Sequence, residues 1–103
     1  MKKGTICFLS LKTEQNEGPL QIRPVVIISA EKNKKKVYVA PITSNEMMAT
    51  EPTHIEINHK CLSRKSFILM DNTQEVDSSR IIEELEPLTT EELLCLDHIL
   101  INQ

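Results

Sequence analysis

The stretch that most constrains this chain is Pro24-Val25-Val26-Ile27-Ile28-Ser29. A continuous β-branched run of this kind suits a strand buried on both faces. Other strand-like segments surround it. Residues 5–10 form a short apolar run, and 36–43 alternate, with Val37 and Val39 on one side and Tyr38 and Ala40 on the other. Residues 53–58 alternate cleanly, Ile55 and Ile57 pointing one way and His54 and Glu56 the other. Residues 66–71 are apolar, and a short strand is expected at 74–76. The polar stretch 12–21 carries Gly18-Pro19 and reads as a loop; the charged stretch 31–35 reads as a turn.

One helix is expected, at the C-terminal end. Thr89-Thr90-Glu91-Glu92 is a capping box, with Thr89 as N-cap and Glu92 at the third helical position. Leu88 and Leu93 are placed for a hydrophobic staple. Leu93, Leu96, Ile99 and Leu100 form one apolar stripe for packing on a sheet. The sum is one domain over 1–103, a small and mostly antiparallel β barrel or curled sheet closed by a helix.

No apolar run approaches the ~20 residues of a membrane-spanning helix, and the run at 5–10 is too short for a signal-peptide core. A cytosolic location and no membrane partner are expected. Cys7, Cys61 and Cys95 are widely spaced without a C-x-x-C motif, so neither a disulfide framework nor a structural zinc is expected, and the thiols read as reduced and mostly buried. The net charge of −3 argues against a nonspecific nucleic-acid binder. Its distribution is uneven: 11 basic against 6 acidic residues in 1–65, then 1 against 9 in 66–103. This suggests a basic face toward an anionic partner and an acidic C-terminal helix in water. Lys32 and Lys34 to Lys36 read as a solvated hairpin tip.

If residues 24–30 pair with 36–42 through a turn centred on Asn33, Arg23 falls opposite Thr43. Directly opposed antiparallel residues share a face about 5 Å apart. A guanidinium, the Thr43 hydroxyl and the adjoining Ser44 would then meet at the open end of the hairpin. Such a group can bind phosphate, because Arg offers a planar fork of donors to an oxyanion. A cross-strand pair with Arg23 simply facing solvent is the other reading.

The chain also resembles a known family. Gly4-Thr5-Ile6, Ile22-Arg23-Pro24-Val25-Val26-Ile27-Ile28, Pro41-Ile42-Thr43-Ser44, Thr53-His54-Ile55-Glu56-Ile57, and Ser66-Phe67-Ile68-Leu69-Met70-Asp71-Asn72 through Val76-Asp77 follow the order and spacing of the MazF/PemK toxins. The resemblance implies an SH3-like barrel of the MazF/CcdB type with a C-terminal helix, and a homodimer. It implies a type II toxin that cuts single-stranded mRNA, without a metal or other cofactor, and a cognate antitoxin whose tail fills the RNA groove. DNA is not an expected ligand of the toxin alone. Arg23 and Thr43 match the family's principal catalytic pair, and Ser44 its neighbouring hydroxyl. The chain departs in having Gln21 where the family has Gly, Gln74 where it has Arg, and Thr5 where it has an acid.

Cleavage of this kind uses the 2′-hydroxyl as nucleophile and yields a 2′,3′-cyclic phosphate and a 5′-hydroxyl. Arg23 is expected to stabilise the phosphorane charge, and Thr43 and Ser44 to position the phosphate. His54 is a candidate base or RNA contact; His59, His98, Asp71 and Asp77 rank below it. Gln21, Asn72 and Gln74 are expected RNA contacts, the amides of the last two reading base edges. Phe8, Tyr38 and Phe67 are few for stacking platforms. The alternatives are a gyrase-directed CcdB-like toxin, a weakened family member acting as an antitoxin-binding partner, and an unrelated SH3-like interaction module.

Overall fold

The computed structural model describes residues 2–10, 21–30, 35–45 and 54–101. Seven strands and one helix follow in chain order: β1 (Thr5–Ser10), β2 (Ile22–Ala30), β3 (Lys36–Thr43), β4 (His54–Ile57), β5 (Ser66–Leu69), β6 (Gln74–Asp77), β7 (Ile81–Pro87) and α1 (Thr90–Ile101). Short 3₁₀ turns at Met70–Asn72 and Ser78–Arg80 flank β6. All pairings are antiparallel. The sheet runs β4-β5-β3-β2-β1-β7, with β6 also paired to β3. The free side of β3 is therefore divided: β6 takes its first half and β5 its last two residues. Among the described strands β4 and β7 do not pair, so the sheet curls without closing.

The β-branched run of β2 is buried on both faces. Val26 and Ile28 join Ile6, Ala40, Ile42, Ile55, Ile68 and Leu96 in one core cluster. Val25 and Ile27 join Cys7, Leu9, Val37, Val39 and Val76 in a second. The period-2 alternation of one strand thus feeds two cores. Cys7 is fully buried, and burial followed by the charge of Glu84 pushes its thiol up to about 11. Cys61 is partly covered and Cys95 is exposed, so only one of the three thiols is buried outright, fewer than expected.

Gly4 has φ +85°, and a Cβ there would run into Leu93. The residue before β1 must therefore be glycine for both backbone and space. Its carbonyl accepts from the Leu88 amide, tying β1 to the helix entrance. The capping box forms: Glu92 N–H donates to Thr89 Oγ1 at 3.2 Å, and Thr89 N–H donates to Glu92 Oε1 at 2.8 Å. Leu96 is fully buried, with Leu93, Ile99 and Leu100 packed around the same cluster. Thr89→Ala is expected to cost about 1 kcal/mol in urea unfolding, with Thr89→Ser restoring most of it; an unchanged midpoint for Thr89→Ala would remove the cap from the account.

Two elements differ from expectation. Residues 81–87 form a strand, although Glu83, Glu84 and Glu86 place acids in it. The C-terminal acidity is thus spread over the first 3₁₀ turn, β6, β7 and α1, with three of the nine acids in β7 and three in α1. The apolar segment at 66–71 ends its pairing at Leu69 and turns into a 3₁₀ turn. Of the turn expected at 31–35, which carries Lys32 and Lys34, and the loop expected at 12–21, all but Lys35 and Gln21 lie outside the described residues. Lys36 faces Glu75 at 3.6 Å across an exposed pair, so at this position the basic hairpin is locally neutralised.

Candidate functional site

The β2–β3 pairing places Val25 opposite Pro41, Val26 opposite Ala40 and Ile27 opposite Val39. The pairing ends at Val25 and Pro41; carried two residues further, the same register would set Arg23 opposite Thr43. A bulge between Ile27 and Ser29 shifts the other end by one residue, so the expected alignment holds at the open end but not through to the turn. Arg23 is also fixed from its other side by pairing with Leu9 in β1. Thr43 pairs with Phe67 in β5.

Arg23 and Thr43 both line two adjoining clefts. The first, of about 200 Å³, has a polar lining of Arg23, Thr43, Ser44, Ser63, Arg64 and Ser66 with Pro24, Ile42 and Leu62. It holds two guanidinium groups and four hydroxyls, and its described lining contains no carboxylate. Among the described residues neither Arg23 nor Arg64 has an acidic partner. The Ser66 hydroxyl donates to the Arg64 carbonyl at 2.9 Å. Thr43 Oγ1 accepts from the Asn45 amide at 3.1 Å, and its own proton has no acceptor among the described residues. In a chain of net charge −3 this is a local cationic cleft.

The second cleft, of about 280 Å³, has apolar walls, among them Leu9, Val25, Val39, Pro41 and Leu69, and carries Asn72 and Gln74. The two amides come from the 3₁₀ turn and the first residue of β6. Arg23, Ile42 and Thr43 are common to both clefts, so a charged half and an apolar, amide-edged half meet at the strand pair.

Not every expected residue is here. Gln21 is exposed just before β2 and outside both linings. His54 is not on a solvent face: its side chain is 6 % exposed, its Nε2 lies 2.9 Å from Asp71 Oδ1, and it lines a separate groove against α1 with Leu94, Cys95 and His98. Its contact braces the 3₁₀ turn that presents Asn72. Arg64 is the residue that sequence reading passed over. It sits in the β4–β5 connection, and no local pattern reports which cleft a loop will reach.

That connection is anchored at its base. His59 is buried; its Nδ1 meets Glu86 Oε2 at 2.8 Å and its Nε2 meets Glu92 Oε1 at 2.6 Å. The Cys61 amide donates to Glu86 Oε1 at 3.1 Å. Burial acts to lower the His59 pKa, but the bonds to Glu92 and Glu86 outweigh it and the net shift is upward. The bond to His59 likewise lowers the pKa of Glu86.

Comparison with known proteins decides the family. Residues 2–102 match the model of the PemK-like, MazF-like toxins of type II toxin–antitoxin systems. The chain belongs to this family. A relative, the endoribonuclease MazF of Staphylococcus epidermidis, is 31% identical over 105 residues, which cover 97% of this chain and 88% of that protein. Solved structures share the fold. A MazE–MazF structure from Deinococcus radiodurans superposes with TM-score 0.78 at 17% identity, covering 99% of this chain and 93% of the other. A mycobacterial endoribonuclease in complex with its cognate antitoxin gives TM-score 0.69 at 14% identity, covering 97% and 88%. The expected MazF/PemK fold is thereby established, and the match to these toxins does not favour a gyrase-directed reading.

Proposed function

We propose that this MazF/PemK toxin is an endoribonuclease that cuts single-stranded RNA in the double cleft at Arg23 and Thr43. The observation that carries this is a cleft whose described lining holds two guanidinium groups and four hydroxyls and no carboxylate, next to an apolar cleft edged by two amides. The names of its relatives support the same reading. A nucleotide has this division of character: an anionic phosphodiester joined to a flat base with an apolar face and hydrogen-bonding edges.

The 2′-hydroxyl oxygen attacks the adjacent phosphorus, the bond from phosphorus to the 5′-oxygen breaks, and a 2′,3′-cyclic phosphate and a 5′-hydroxyl result. The proton lost by the 2′-hydroxyl and the one gained by the leaving oxygen exchange with water. The described lining residues, guanidinium groups and hydroxyls, act by charge stabilisation and positioning. Arg23 takes the charge on the phosphorane, and the Thr43 proton bonds a non-bridging oxygen. Ser44 adds a donor beside it. Asn72 and Gln74 meet base edges.

Arg64 holds a second phosphate. Arg64→Ala is therefore expected to weaken binding of a 2′-O-methylated, uncleavable RNA strand and to lower the slope of log affinity against log salt by about 0.7. An unaltered slope would place Arg64 outside the bound strand. A homodimer and a cognate antitoxin that covers the cleft complete the reading, since relatives are solved with their antitoxins. Among the described residues no helix is long and apolar enough to cross a membrane, and we assign the protein to the bacterial cytoplasm.

A further inference from the structure

We propose that His59, Cys61 and Glu86 form a binding site for a divalent transition-metal ion of the zinc class. The three side chains each bring one donor atom, and these lie within 4.8 Å of one another. Nitrogen, thiolate sulfur and carboxylate oxygen form a ligand set that zinc accepts. Tetrahedral zinc spaces nitrogen and oxygen ligands about 3.3 Å apart, and either about 3.6 Å from sulfur. His59 Nδ1 and Glu86 Oε2 stand at 2.8 Å, so the ion needs only a small parting of this pair and a closing of the thiol.

The outer contacts are those that metal ligands require. His59 Nε2 is held by the Glu92 carboxylate at 2.6 Å, which orients the ring and leaves Nδ1 toward Glu86 and Cys61. Glu92 is fixed in turn by the Thr89 amide at 2.8 Å. The second Glu86 oxygen is held by the Cys61 amide at 3.1 Å, which frees Oε2 to ligate. Three protein ligands leave a fourth position for water. The site lies outside the cleft and does not depend on the reading of its function. Its effect is to bind residues 58–65 to β7. The sequence conceals it: His59 and Cys61 are two apart, but Glu86 comes from another strand.

Cobalt titration of the whole chain tests this. One Co²⁺ per chain is expected, with intense tetrahedral visible bands and a thiolate-to-cobalt band in the near ultraviolet. Cys61→Ser should remove the near-ultraviolet band, Cys95→Ser should leave it intact, and Glu86→Gln should weaken binding at least about tenfold, all three remaining folded by circular dichroism. Zinc should raise the melting temperature of the wild type and not of Cys61→Ser. Absence of the band, its survival in Cys61→Ser, or its loss in Cys95→Ser would overturn the proposal.

Discussion

Arg23→Ala is expected to lower the rate of RNA cleavage by about 10²–10³-fold, the loss seen when a charge-stabilising donor is removed from a transition state. The chain should keep its fold. Arg23 is exposed near the start of β2 and has no acidic partner among the described residues. Its backbone pairing with Leu9 does not need the guanidinium. The melting temperature should therefore stay near the wild-type value, since surface substitutions of this kind change stability by about 0.5 kcal/mol or less. Arg23→Lys keeps the charge but not the planar fork, and should recover only part of the rate. Single-turnover cleavage of a long RNA measures both. A folded Arg23→Ala protein with wild-type turnover would move the chemistry elsewhere.

The second large effect is on stability. Leu96 is fully buried and is the helix residue in the larger core cluster, among Ile6, Val26, Ile55 and Ile68. Leu96→Ala removes that contact and leaves a cavity between helix and sheet, at a cost of about 2–5 kcal/mol. For a chain of this size each kcal/mol shifts the melting temperature by about 4–8 °C. A drop of more than about 8 °C is expected in a thermal melt. Leu94→Ala is the control: Leu94 is 64% exposed on the same helix and should cost little. Equal effects of the two would mean that α1 is not seated as described.

The parts legible in the sequence are those governed by local chemistry. The β-branched run announced a doubly buried strand, because four such residues in succession, in a short run bounded by polar segments, favour a strand over a helix. The capping box fixed the start of α1 to the residue. The expected hairpin register holds from Val25 to Ile27, on the side of the bulge toward Arg23 and Thr43, and both of these line the same clefts. What stayed hidden depends on tertiary contact. Acids at three of seven positions disguise β7, which is held by pairing with β1 rather than by its own propensity. Alternation set His54 and Glu56 opposite Ile55 and Ile57, but could not tell that His54 is covered beside α1 and Asp71 while Glu56 stays exposed. Arg64 reaches the cleft only through the path of the β4–β5 connection.

The most direct measurement is incubation of the purified protein with a long single-stranded RNA in EDTA, beside Arg23→Ala, followed by mapping of the 5′ ends. Discrete cuts at a short motif, bearing 5′-hydroxyl ends and lost in the variant, are the predicted result. Absence of cuts by the folded wild type, 5′-phosphate ends, or equal cutting by Arg23→Ala would contradict the account.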